Sequence, residues 1–304
     1  MGGIAVAVFY LRRCLVWGTL CLGLLGALVA SADESLPDFA LFMPKPTVVA
    51  SIKPLALLAQ SIAGQDLKVV TLLPPNANPH ALAMTISDRQ LLADASLVVW
   101  LGPHFERFLT KPMAQRREPQ LQLGQTAQLN WPGEPHQDLH LWLDPHNIAV
   151  ALRALTRELV ALEPLKQPVF ERRLNKQLAI LEQTAADIRV QLAPYRDAPF
   201  AVSHDGYGHF VKAFNLTQLA AATRLPEQQL SARRLYELQQ SLTDARCLIV
   251  ELNDAAGKKL ARVVKLPAIE ADPLGQAADV TSINQLLQAL ADDFVTCLSA
   301  SGRL

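Results

Sequence analysis

The sequence is poor in three things: cysteine, aromatic side chains and net charge. It holds four cysteines in 304 residues, and no Cys-x-x-Cys, His-Glu-x-x-His or His-x-His, so the zinc sites built from one short stretch of chain are excluded. Its 28 basic residues only balance 28 acidic ones, which leaves no basic surface for a nucleic acid. Aromatics make up 6%, yet half of all residues are apolar, enough for a sizeable core and for two domains. The uncharged apolar run Leu15–Ala30 is short for a bilayer span.

That run follows Arg12-Arg13 and precedes Ala30-Ser31-Ala32, a small-x-small cleavage site. Residues 1–32 therefore read as a secretory signal peptide, with an uncleaved anchor as the competing reading. The bulky Leu20 before Cys21 argues against a lipid-modified cysteine. Removing residues 1–32 leaves 26 basic against 28 acidic residues, a net charge of −2, and two cysteines, Cys247 and Cys297. In an oxidising compartment this pair is expected to be bonded, with two buried thiols as the alternative. Closing a loop of that length contributes about 4 kcal/mol in the chain-entropy model.

Asp33–Lys45 is a polar, proline-containing tether, and folding is expected to start at Pro46. Strands over 47–51 and 68–73 flank a helix over 54–63, a βαβ unit that implies a parallel sheet. The breaker cluster Pro74–Pro79 puts His80 on a loop at the carboxyl end of the second strand, the edge where open α/β sheets bind ligands. A helix over 87–93 capped by Ser87, a buried strand over 96–101 and a short helix over 105–110 stopped before Pro112 follow. Residues 111–137 show no clear pattern beyond a short run at 120–123. After a helix over 148–162, the apolar series Phe170, Leu174, Leu178, Leu181, Ala185, Ile188, Leu192 predicts one long helix ended by Pro194, about 40 Å in length. The βα pattern then restarts, with strands over 199–203, 216–221, 246–251 and 268–271. Helices over 231–242, 255–264 and 281–298 accompany them, the last carrying Cys297. The long helix, 166–193, reads as a rigid spar joining two lobes, 33–165 and 194–304; packing within one domain is the alternative.

Within the stretch Asp138–His146, His140 sits in an apolar run directly before an Asp-Pro turn, which can fix the direction of an imidazole. His80 after Leu72-Leu73-Pro74-Pro75 and His204 after Phe200-Ala201-Val202-Ser203 have comparable settings. Asp272 opens a further Asp-Pro turn after a strand. The candidate site is therefore His80, His140, His204 and Asp272, two from each side of the long helix. Three neutral imidazoles and one carboxylate suit zinc, which takes nitrogen and oxygen ligands at about 2.0–2.2 Å. His104 and His136 lie on exposed connections and read as solvated. His209 is expected on the helix after His204, away from the mouth of the site, and Asp205 as the cap of that helix. The fold class expected is α/β: two parallel-sheet βα lobes joined by one long rigid helix, with the metal site between the lobes.

Taken together, these stretches resemble the periplasmic zinc-binding proteins of ABC importers, the ZnuA-like cluster A-I metal solute-binding family. The resemblance runs over nearly the whole mature chain. It is carried by Val49–Leu55, Leu73–Pro75 through Asn78-Pro79-His80, Leu97–Pro103, His140–Pro145, Ser203–Tyr207 and Asp272–Gly275. It implies a metal held between two lobes by His80, His140 and His204, with Asp272 or a water completing the shell, and a membrane permease as partner. Manganese carriers of the family tend to have Glu where this chain has His204, so zinc is favoured; the Cys247 and Cys297 pair also matches zinc-type relatives. Two departures stand out. The His- and acid-rich loop of many zinc-type relatives is missing, since Lys111–Asp138 holds only His136, and Leu139 replaces a common proline.

The expected function is zinc capture and delivery by a monomer, with metal drawing the two sides together by a small tilt that the long helix limits. Affinity is expected to fall as pH drops through about 6.5, because the imidazoles bind metal only when neutral. A manganese or iron carrier on the same fold is one alternative. A secreted zinc hydrolase is another, with Asp205 or Glu251 as general base.

Overall fold

In the computed structural model the described residues are 45–74, 84–133, 138–224, 228 and 230–300. The expected signal peptide, His80 and His136 lie outside them.

The strands are short, and the central ones are mostly apolar on both faces, which decides the layering. In β1 (Thr47–Ala50), Val48 and Ala50 enter one hydrophobic cluster and Val49 another. In the later strand Leu97–Trp100, Leu97 and Val99 join the first cluster while Val98 and Trp100 join the second. Side chains alternate across a strand, so such strands need cover on both faces, the setting of a parallel sheet. With β2 as Lys68–Thr71, β3 as Leu97–Trp100 and β4 as Gln120–Gln122, the first sheet is parallel throughout, in the order β2-β1-β3-β4. The weak run at 120–123 is thus its edge strand. The second sheet repeats the plan. β5 (Pro199–His204), β6 (Thr217–Thr223), β7 (Leu248–Glu251) and β8 (Ala268–Ala271) run parallel in the order β6-β5-β7-β8. One core cluster lines the inner faces of both sheets, from Val48 and Leu97 to Phe200, Ile249 and Phe294. Each outer face has its own smaller cluster. Residues 45–304 form one compact unit.

Local chemistry sets the helix ends. Pro54 lies in the first turn of α1 (Lys53–Ala63). α2 (Ile86–Asp94) is capped two residues before the expected Ser87, because Thr85 and Asp88 form a reciprocal capping box. The expected helix over 105–110 is instead a 3-10 turn, Arg107–Leu109, leading into α3 (Thr110–Gln115). Pro112 sits in the first turn of α3, where its missing N–H costs no intrahelical bond. α4 (Pro145–Leu162) is capped by Asp144, whose carboxylate accepts from His146 N at 2.7 Å.

The long helix is α5 (Gln167–Leu192), 26 residues, with Phe170, Leu181, Ala185, Ile188 and Leu192 buried. Near its start Arg173 donates to Ile62 O and Ala63 O at the end of α1 and pairs with Asp66. α6 (Gly208–Phe214) begins after Tyr207, and Asp205 does not cap it: the N-cap position makes no side-chain bond. α7 (Ala232–Ser241), α8 (Ala255–Val264) and α9 (Ile283–Leu298) are capped by Ser231, Asp254 and Ser282. At the far end of α5, Gln191 donates to Asp292 on α9 at 2.6 Å. The Cys247–Cys297 disulfide, with 5.5 Å between Cα atoms, ties the residue before β7 to the end of α9. Among the described residues no helix is long and apolar enough to cross a membrane.

Candidate metal centre

His204 ends β5, and Asp272 is the first residue after β8, so both stand at carboxyl ends of the second sheet. His140 follows no strand. It precedes a 3-10 turn, Leu141–Leu143, and its direction is set by Asp138, whose Oδ1 accepts from His140 N at 3.0 Å. Loop and strand bring the two imidazoles together, with ring centroids 5.3 Å apart at 65° and both side chains buried.

Each ring is held from behind by a carboxylate. His140 Nδ1 lies 2.7 Å from Asp138 Oδ1, and His204 Nδ1 lies 2.6 Å from Glu251 Oε1. A neutral ring that donates from Nδ1 carries its lone pair on Nε2, the form in which a backing carboxylate fixes an imidazole as a metal ligand. Gly206 makes room for the pair. A Cβ there would stand 2.9 Å from His140 Nε2 and 2.9 Å from His204 Cε1, so only hydrogen fits. Asp138 stays below the usual carboxylate range: burial opposes its ionisation, but His140, His209 and the hydrogen bonds from His140 outweigh that cost.

Asp272 is fixed differently. Its Oδ2 accepts from Ala277 N at 2.9 Å, and its turn closes through Gly275, whose φ of +61° suits glycine. Its Oδ1 is buried with no hydrogen-bond partner, and so is the Tyr207 hydroxyl. Burial first, then the charges of Glu251, Asp293, Asp272 and Asp254, push the Tyr207 hydroxyl well above its ordinary pKa. Burial, followed by Asp292 and Asp272, raises Asp293 to about 6. An orphaned carboxylate oxygen inside a concentration of negative charge is what a bound cation relieves.

Of the four sequence candidates, His140 and His204 are brought together, Asp272 does not join them in one ligand group, and His80 is outside the described residues. Among the described residues no three His, Cys, Asp or Glu side chains form a ready metal shell. Sequence reasoning missed the two backing acids. Asp138 had a readable signal, an acid two residues before His140 in a turn-forming stretch. His209 is on the helix after His204, as expected, and it is buried there with Nε2 2.8 Å from Asp138 O and Nδ1 3.1 Å from Asn147 Nδ2. Trp142, beside the His140 ring at 5.3 Å between centroids, donates from Nε1 to Pro273 O at 2.7 Å, next to Asp272.

The family described as zinc-uptake complex component A, periplasmic (ZnuA) matches residues 48–297. A relative from Yersinia pestis, named high-affinity zinc uptake system protein ZnuA, is 30% identical over 288 residues, covering 83% of this chain and 91% of its own length. One of the same name from Haemophilus ducreyi is 27% identical, covering 83% and 93%. In fold, the periplasmic zinc-binding protein TroA from Treponema pallidum superposes with a TM-score of 0.76 at 21% identity, over 84% of this chain and 99% of that one. A solved ZnuA gives a TM-score of 0.73 at 23% identity, over 84% and 100%. With its two like-ordered parallel sheets, its long helix and a family match across nearly all of the described chain, this protein belongs to the periplasmic zinc-uptake complex component A family, ZnuA.

Proposed function

We propose that this chain captures zinc in the periplasm and delivers it to the membrane permease of an ABC importer, and that it is not an enzyme. The observation that carries the reading is the pair of buried imidazoles, each backed at Nδ1 by a carboxylate and sharing the space that Gly206 leaves open. His80, His140, His204 and Asp272 are the proposed ligands. Residues 1–32 are the proposed export signal, and 33–165 and 194–304 the two metal-binding lobes on either side of the helix over 166–193.

The chemistry follows from the hydrogen bonds. A carboxylate behind Nδ1 fixes the tautomer, aims Nε2 and raises the basicity of the ring, so the imidazole is a stronger donor than one in water. The hydrolase alternative has less support, because Glu251, one of its two candidate bases, is engaged with His204. The manganese alternative is disfavoured by two imidazoles in one site, since manganese suits carboxylate, carbonyl and water oxygens.

The test is the metal content of purified residues 33–304, alone and as His140→Ala. One zinc per chain in the wild type, lost or greatly weakened in the variant, is the expected result. No zinc after loading, or zinc that the variant leaves untouched, sinks the reading.

A further inference from the structure

Among the hydrogen bonds that cross between the halves of the molecule, two end beside a proposed ligand without touching the ion's place. Trp142, buried before α4, sends its indole N–H to Pro273 O across 131 residues of sequence, so the residue after Asp272 is pinned to the loop that carries His140. The indole is held in turn by Phe105, which packs edge-on against both Trp142 at 5.5 Å and His140 at 5.2 Å. From the other side, His209 on α6 binds Asp138 O at 2.8 Å, and Asp138 is the acid behind His140. Asn147 on α4 donates to His209 Nδ1, which fixes the tautomer with the proton on Nε2, toward Asp138. Asn147 is itself locked by Asn130 through two bonds, at 2.7 and 2.9 Å.

We propose that Trp142 and His209 are positioning residues that brace the His140 side of the site against the second half of the chain, and so set the preference for zinc over manganese. The inference rests on the capture reading above. Zinc is satisfied by four close nitrogen and oxygen ligands, whereas manganese asks for about six, mostly oxygen. A cage whose walls are already tied together admits the first and resists the spreading that the second needs. Loosening either tie lets the walls adapt, so zinc is weakened while manganese is not.

The experiment uses the mature chain with Trp142→Phe, which keeps an aromatic ring and drops the N–H, and His209→Leu, with His209→Gln restoring a donor toward Asp138 O. Zinc and manganese affinities are measured by competition with a chelator, cobalt(II) loading is followed by its visible absorption, and thermal melts report folding. Expected are a zinc affinity about tenfold weaker in Trp142→Phe and His209→Leu, a manganese affinity within about threefold of wild type, weaker cobalt bands, and recovery in His209→Gln. An unchanged zinc-to-manganese ratio with the wild-type cobalt spectrum overturns the inference, as does equal weakening of both metals. If one variant does not fold, the other decides; if neither folds, the ties belong to the core and the proposal fails. A wild type that holds no zinc overturns the capture reading and this one with it, whereas zinc bound equally by wild type and variants overturns only the braces.

Discussion

The two halves use one plan for opposite ends. In each, an acid following the third strand of the half takes the hydroxyl of a serine at the end of the first strand: Glu106 binds Ser51 Oγ, and Asp254 binds Ser203 Oγ at 3.1 Å. In the first half that acid is sealed. Glu106 is fully buried, and its carboxylate also gathers Leu101 N at 2.9 Å and Gly102 N at 2.8 Å, so its whole capacity goes to backbone and hydroxyl. In the second half Asp254 serves Ser203 and the start of α8, and a second acid, Glu251, is left for an imidazole. Topology alone does not make a site. In the second half what makes one is an acid at the strand ends that the scaffold does not consume, whereas the first half supplies its acid, Asp138, from a loop.

The comparison can be broken most severely at the covalent tie, which only the second half has. Replacing Cys247 and Cys297 by Ser removes a crosslink spanning 50 residues and is expected to lower stability by about 4 kcal/mol, read from urea unfolding. Amide exchange should then quicken in β7 and β8 before it does in β1 and β3.

In the first half the lever is proton binding. Burial, opposed by the bonds from Ser51, Gly102 and Leu101, raises Glu106 from 4.5 to about 7. Between those values the folded state holds a proton that the unfolded state has released, so this group makes stability fall as pH rises from about 4.5 to about 7, by about 3 kcal/mol in all, and it adds no slope above that range. Glu106→Gln should flatten this part of the profile, measured as unfolding free energies at pH 5 and pH 8. A profile identical to wild type would mean that Glu106 ionises as freely as in water.

Sharpening the contrast needs the acid that faces an imidazole. Glu251→Gln should weaken zinc about tenfold, near 1.4 kcal/mol, with little change in melting temperature. The smallest effect belongs to the acid both halves share in kind: Asp254→Ala removes the α8 cap and should cost about 1 kcal/mol of stability, seen in the same urea titration.

The fold was largely legible because its signals are local. All four strands of the second half and the strands from Val48 to Trp100 show as short apolar runs between breakers, and the 26-residue helix as a series at spacings of four and three. Errors came where a polar side chain had two possible uses: Thr85 rather than Ser87 caps α2, and Pro112 opens a helix rather than closing one. The site was half legible. His204 and Asp272 are marked by strand ends, and His140 by its Asp-Pro turn. The pairing of His204 with Glu251, 47 residues apart, and of Trp142 with Pro273, 131 apart, leaves no periodic trace, because nothing local depends on it. Glu106 carries no signal of its own, since burial of a single charge in a turn changes no pattern in the sequence around it.

The disulfide bears on how the molecule is made. Residues 45–304 contain two cysteines, so this unit has one possible connectivity and nothing to scramble. Its partners are far apart in order of synthesis: Cys247 is made well before Cys297, on the last helix, can meet it. The bond therefore closes over a chain whose two sheets are already made and able to pair. Maturation of this unit calls for an oxidant acting late, and has no step for a disulfide isomerase to perform.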